Sequence, residues 1–163
     1  MSATIPELPE IRVYVSSTSN DLKEYRALVI AALRKMEMIA VCMEDYVAQS
    51  KLPVKKCLED VGKCDIYVGF FARRYGFIPD GYNKSITELE YRKAVDSGIP
   101  TLTFLLNENV SWPDEYCDAG ENKLRIDALR KHLMDSYIVS WFTNSQELVT
   151  ETMAAVSITR NMR

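Results

Sequence analysis

Residues 64–71, Cys-Asp-Ile-Tyr-Val-Gly-Phe-Phe, form a nearly unbroken apolar run rich in β-branched and aromatic side chains. A strand with one wet face alternates apolar and polar residues. A continuous run reads as a strand buried on both faces, in the middle of a parallel sheet. The chain turns polar directly afterwards, in Ala72-Arg73-Arg74-Tyr75-Gly76. The strand therefore delivers two guanidinium groups, a phenol and a glycine at its carboxyl end. In open α/β sheets that is the end where ligands bind, at the point where the strand order reverses.

The rest of the chain supplies the elements such a strand needs. Ile11 to Val15 alternates and reads as a first strand, followed by Ser16-Ser17-Thr18-Ser19-Asn20-Asp21. Small hydroxyl and amide side chains of this kind cap helices, and their hydroxyls and backbone amides also suit a polar ligand. Leu22, Tyr25, Val29, Leu33 and Met36 then mark one stripe of an amphipathic helix. Met38 to Met43 reads as a second strand ending in Glu44-Asp45-Tyr46. Pro53 opens a short helix with Val54, Cys57, Leu58 and Val61 inward, and Gly62 stops it. Beyond the central strand and a turn-rich loop, Ser85 starts a helix to about Ser97. Thr101 to Leu106 is a fourth strand, and a helix carries Ile126, Leu129 and Leu133 on one face. Tyr137 to Trp141 is a short fifth strand, and Leu148 to Thr159 the last helix. Strands alternating with helices imply an α/β fold with a parallel sheet. Five strands and right-handed crossovers favour the flavodoxin-like order 2-1-3-4-5, with helices on both faces. In that order the Ser-Ser-Thr loop and the Arg-Arg-Tyr-Gly loop face one another across a crevice. Residues 1–10 read as a lead-in and 11–160 as one domain.

Composition narrows the function. The chain has 163 residues, 26% of them charged, with a net charge of −3 and no block of lysine or arginine. Nucleic-acid binding through a basic face is not expected. Cys42, Cys57, Cys64 and Cys117 are scattered without a CxxC pair, the pattern of free thiols in a reducing cytoplasm. The single histidine, His132, excludes a His-rich metal site. No apolar run approaches the length of a membrane span, and the amino terminus does not read as a signal peptide. A soluble cytoplasmic protein with no metal and no cofactor is the expectation.

The sequence has no GxGxxG after the first strand and no GxxxxGK[ST], which disfavours Rossmann dinucleotide binding and P-loop chemistry. What remains is Ser85-Ile86-Thr87-Glu88-Leu89-Glu90-Tyr91 at the start of the third long helix. Ser85 with Glu88 has capping-box spacing, and so does Thr87 with Glu90. One glutamate is explained as a cap, but not both at once. The alternative is a carboxylate near the crevice that meets a ribose becoming cationic as an N-glycosidic bond breaks, as in glycosidases. Both readings stay open on spacing alone.

Several motifs together resemble a known family. Val15-Ser16-Ser17-Thr18, Asp21-Leu22-Lys23-Glu24, Arg26 and Leu28 open the resemblance, and Cys57-Leu58-Glu59, Cys64-Asp65, Tyr67-Val68-Gly69, Arg74-Tyr75-Gly76 and Pro79 continue it. Ser85 to Tyr91 and Ala94 close it, so that it covers roughly residues 11 to 106. These residues are similar to a TIR-like family of unknown function found at the amino terminus of NACHT and WD-repeat proteins and of bacterial signal-transduction ATPases.

The resemblance implies a TIR or nucleoside deoxyribosyltransferase-like fold. It also implies a glutamate after the third strand that cleaves the nicotinamide–ribose bond of NAD, or another N-glycosidic bond. TIR domains commonly place an alanine four residues beyond that glutamate. Glu90 with Ala94 fits, which makes Glu90 the first choice as catalytic residue and Glu88 the second. By the same resemblance Ser16, Ser17, Thr18 and Asp21 line the ribose or phosphate side, and Arg74, Tyr75 and Gly76 the opposite wall. NAD is then a substrate and not a cofactor, and the biological setting is antiviral defence or cell-death signalling. The tryptophan-cysteine pair that TIR enzymes often carry ahead of the glutamate is replaced here by Lys84-Ser85-Ile86-Thr87. That departure supports an alternative, a non-catalytic module that binds a nucleotide messenger, or assembles with itself or with other TIR-like or NACHT-type domains.

Overall fold

A computed structural model describes residues 3–5, 7, 9–46 and 53–162. Five strands form one parallel sheet: β1 (Arg12–Ser16), β2 (Ile39–Val41), β3 (Ile66–Phe71), β4 (Thr101–Leu106) and β5 (Ser140–Phe142). Their order is β2-β1-β3-β4-β5, the flavodoxin-like order expected from the sequence. The five α-helices are α1 (Lys23–Lys35), α2 (Val54–Gly62), α3 (Ile86–Asp96), α4 (Gly120–Ser136) and α5 (Ser145–Asn161).

Every residue of β3 is buried, as its apolar run requires. Val68 and Phe70 face a core shared with Val13 and Val15 of β1, Leu33 of α1 and Leu148 and Val156 of α5. Tyr67 and Phe71 face the opposite core, with Tyr14 of β1, Val61 of α2, Tyr91 of α3 and Leu129 and Leu133 of α4. Each such side chain, fully removed from water, contributes about 1.5–3 kcal/mol. The sheet is thus a filling between two apolar layers.

Of the boundaries that differ from the sequence reading, three have a clear local reason. The second strand stops at Val41, because Met43–Asp45 coils into a 3-10 turn. Cys42 Sγ reaches Asp45 Oδ2 at 3.3 Å across that turn. The fifth strand starts at Ser140 and not Tyr137, since the Tyr137 N–H still donates to Leu133 O at the end of α4. Helix α5 begins three residues before Leu148, at Ser145. Its polar first turn carries no apolar signal, and the Asn144 side chain caps it by accepting from the Glu147 N–H.

The 16–21 run also behaves differently from a cap. The residue preceding α1 is Leu22, which makes no side-chain capping bond. The hydroxyls are used elsewhere: Ser16 toward α3 and Ser17 toward the carbonyl of Thr18. Among the described residues, no helix is long and apolar enough to cross a membrane.

Candidate active site

β1 and β3 lie side by side with Ser16 opposite Gly69, at the switch point where the chain leaves β1 on one side and β3 on the other. On the α3 face of this pair the tyrosines Tyr14 and Tyr67 stack nearly parallel, with ring centroids 6.5 Å apart. Gly69 makes this possible. A Cβ there would stand 2.6 Å from Tyr67 Oη and 2.7 Å from its ring.

Glu90, on the second turn of α3, projects onto this platform and is buried. The Tyr14 phenol donates to its Oε2, and Ser16 Oγ donates to Oε1 at 2.9 Å. Burial pushes the Glu90 carboxyl up to about 7. The two hydroxyl donors and the Arg26 guanidinium pull the other way, and Glu44 adds to the upward push. Desolvation and oriented donors thus act on one carboxyl, a combination found at functional sites and in structural hydrogen-bond networks alike. Tyr14 is driven well above the ordinary phenol range, by burial first and by Glu90 second, so it stays a donor.

Arg26 is the neighbour that the composition of the loop did not reveal. Its side chain is 3% exposed, and it grips Glu44 through Nε at 2.7 Å and Nη2 at 3.2 Å. Its Nη1 donates to Ser17 Oγ at 3.1 Å. One guanidinium thereby ties the exit of β1 to the exit of β2. The sequence did contain a signal: Leu22, Arg26, Val29 and Leu33 share one helical stripe, and a cation on a buried stripe needs a partner.

Glu88 stands on a different face of the α3 start. Tyr75 Oη donates to its Oε1 at 2.8 Å, and Arg92 Nε to its Oε2 at 3.1 Å. Arg92 and Tyr91 in turn hold His132, at 3.4 and 3.0 Å. The capping ambiguity is resolved as well. Ser85 is the N-cap, accepting from the Glu88 N–H at 3.2 Å. The reciprocal half of the box is absent, because the Ser85 N–H donates to Tyr75 Oη and not to a glutamate. Neither carboxylate is used as a cap.

The other expected site residues gather at the same strand ends. Thr18 packs against Gly76, whose φ of +96° and lack of a Cβ admit the close approach. Thr18 Cγ2 would lie 3.1 Å from a Cβ there. The Asp21 side chain is sealed from solvent, 3.8 Å from Arg74 Nη1. Neither of its oxygens has a hydrogen-bond partner at bonding geometry among the described residues, and burial raises its pKa. The Tyr75 N–H donates to Asp118 Oδ2 at 2.7 Å, tying the β3 exit to the segment before α4. Ser16 and Glu90 are therefore one cluster, Ser17 joins it through Arg26, and Arg74 with Asp21 forms a second pair. Tyr75 belongs with Glu88. Among the described residues, no group of three or more histidine, cysteine, aspartate or glutamate side chains could hold a metal.

Comparison with known proteins places the fold. A family model described as "Domain of unknown function (DUF4062)" matches residues 12–157. No curated protein matches the chain. Among solved structures, the TIR domains of the activated Roq1 resistosome recognising the effector XopQ share the fold at a TM-score of 0.60 and 10% identity, over 90% of this chain and 99% of that one. The RPS4 and RRS1 TIR domain heterodimer follows at 0.56 and 14%, over 92% and 98%. The CMP N-glycosidase BcmB of Clostridium botulinum gives 0.52 and 12%, over 88% and 98%. At these identities the likeness is one of fold, a TIR-like α/β arrangement.

Proposed function

The chain belongs to the family described as "Domain of unknown function (DUF4062)", and we propose, from the site built around Glu90, that it is an N-glycosidase acting on NAD or a related nucleotide. The observation that carries this reading is the Glu90 carboxyl itself, held near neutrality by burial at the β1–β3 switch point and gripped by Tyr14 and Ser16. In the ionised form it meets the positive charge that develops at C1′ of a ribose, or bonds to that carbon. The C1′–N bond breaks with its electron pair leaving on the base. Water then forms the C1′–OH bond, displacing the carboxylate where it has bonded there, and the proton lost by the water passes to the Glu90 carboxylate or to solvent.

The leaving group is constrained by what surrounds the carboxylate. A neutral base needs a proton as it departs. His132, the usual donor by residue type, is held by Tyr91 and Arg92 instead. A pyridinium such as the nicotinamide of NAD leaves as a neutral molecule and needs no acid. That favours NAD over uncharged nucleosides. The fold shared with a CMP N-glycosidase is compatible with either substrate.

A second reading is a module that signals by assembly in defence or cell death, with no turnover. Its support is that the compared TIR domains come from a heterodimer and a resistosome, and that the Glu90 carboxyl is already satisfied by two hydroxyls. NAD consumption by the purified protein, followed over a range of protein concentrations beside Glu90→Gln and Glu88→Gln, separates the two. Nicotinamide release lost in Glu90→Gln and retained in Glu88→Gln supports the enzyme. Turnover that survives in both variants sinks the role given to Glu90. Concentration-dependent assembly without turnover supports the second reading.

A further inference from the structure

A cavity of about 470 Å³, lined by none of the side chains that surround Glu90, opens between the end of β3, the 108–118 segment and α4. Two arginines line it. Arg130 is buried, its Nη1 donating to the carbonyls of Phe71 and Ala72 at 3.0 and 3.2 Å and its Nη2 to Leu106 O at 2.7 Å. It bolts the ends of β3 and β4 together. Arg73 Nη2 donates in the same manner to the carbonyls of Asn107, Glu108 and Val110.

Among the described residues, neither arginine forms an ion pair. Three acids, Glu108, Asp118 and Asp127, share the lining, but none lies within ion-pair distance of either arginine. Asp127 is held by Lys123 at 2.6 Å, and Asp118 by the Tyr75 N–H. Glu108 and Asp127 act on Arg130 from beyond ion-pair distance, while burial and Arg73 work against its charge. Carbonyl dipoles satisfy some of the N–H groups but bring no countercharge, and a guanidinium does not shed its proton to escape. Arg73 keeps Nε and Nη1, and Arg130 keeps Nε, without a partner among the described residues. These are planar donors suited to an oxyanion. The rest of the lining is mixed: Lys123 adds a third cation, Glu108, Asp118 and Asp127 are acidic, and Trp112 and Ile126 form an apolar part. The volume suits a small molecule.

We propose that this cavity binds a small organic anion, with its phosphate or carboxylate on Arg73 and Arg130 and its apolar part against Trp112 and Ile126. The site stands independently of any chemistry at Glu90, and a ligand there would grip the β3 exit, the 108–118 segment and α4 together.

The cavity carries its own reporters. Trp112 is one of two tryptophans in the chain, so Trp141→Phe leaves it as the only indole. Cys117 also lines the cavity and is the one cysteine of the four that is not buried. Inorganic phosphate and benzoate serve as probes, each against chloride at equal ionic strength. The expected result is a saturable change in Trp112 fluorescence and slower alkylation of Cys117 by N-ethylmaleimide. The slowing should reach roughly tenfold when the probe stands at about ten times its dissociation constant. A response to phosphate or to benzoate tells which oxyanion the arginines take. Arg73→Gln should abolish both signals, and Arg73→Lys, which keeps the charge, should retain a weaker one, with thermal melts showing that both variants fold. Signals no larger than those of chloride, or signals that persist in folded Arg73→Gln, overturn the proposal.

Discussion

Tyr14 and Glu90, 76 positions apart in the chain, meet in a buried hydrogen bond with the phenol donating to the carboxylate. The bond joins the middle of β1 to the second turn of α3, and it favours the ionised form of a carboxyl that burial pushes up to about 7. Tyr14→Phe removes that donor and leaves the ring stack on Tyr67. A hydrogen bond to a charged group is worth about 1.5–3 kcal/mol, or about one to two pKa units. If Glu90 acts as an anion, the rise of activity with pH should move upward by that amount, with the plateau at high pH largely kept. An unmoved profile of nicotinamide release against pH would show that the Tyr14 bond does not govern the charge of Glu90.

The same carboxyl makes a stability prediction that needs no substrate. Its value rises from 4.5 to about 7 on folding, so between those values the native state holds more protons than the unfolded state. Stability therefore falls as pH rises through that window, and the loss is complete above it. The shift corresponds to about 3–4 kcal/mol at roughly 1.4 kcal/mol per unit. Glu90→Gln removes the cost of the charge. Its advantage over the parent in urea unfolding should be greatest above pH 7 and should shrink toward pH 4.5. A difference that stays constant across the window would contradict a raised carboxyl.

Ser85 and Thr87 were equivalent as caps on spacing, and the structure makes them unequal. Ser85 accepts from the Glu88 N–H. Ser85→Ala should cost about 1 kcal/mol, the usual value of a lost N-cap. Thr87→Ala removes no cap and should cost less, by denaturant unfolding. Equal losses would mean that Ser85 contributes through packing alone.

The contrast shows what the sequence could and could not carry. The sheet order was legible because period and composition are local signals: an apolar run at β3, alternation at β1 and amphipathic stripes between them. The gathering of Ser16, Ser17, Thr18, Asp21, Arg74 and Gly76 at the strand ends followed from that order. Partner choice was not legible. Nothing local says that Ser16 serves Glu90 while Tyr75 serves Glu88, since both pairings depend on how α3 is rotated over the sheet. Nor does spacing reveal that the Tyr75 phenol takes the Ser85 N–H, a place that a capping box gives to a glutamate. Tyr14 read as an inward strand residue, and its polar end mattered only once Glu90 stood above it. The strand ends blurred for a similar reason. Cys42 and Met43 are as apolar as the strand before them, yet Asp45 and Glu44 draw the backbone into a turn through Cys42 and Arg26.

Gly69 is the residue on which the platform beneath Glu90 rests. It lies within a fully buried strand, where glycine is normally a weakness. Its role is to leave room for the Tyr67 ring, which a Cβ would meet at 2.6 to 2.9 Å, well inside contact distance. Tyr67 is fully buried, with its ring against those of Tyr14 and Tyr91. Gly69→Ala should therefore destabilise by about 1–3 kcal/mol through overpacking. If the ring is the cause, the penalty must depend on it. In a Tyr67→Leu background the same Gly69→Ala change should cost less, giving a coupling energy of about 0.5–3 kcal/mol in a double-mutant cycle of urea unfolding. A cycle that closes to zero would place the role of Gly69 in the backbone, and the stacked tyrosines would no longer explain why β3 carries a glycine there.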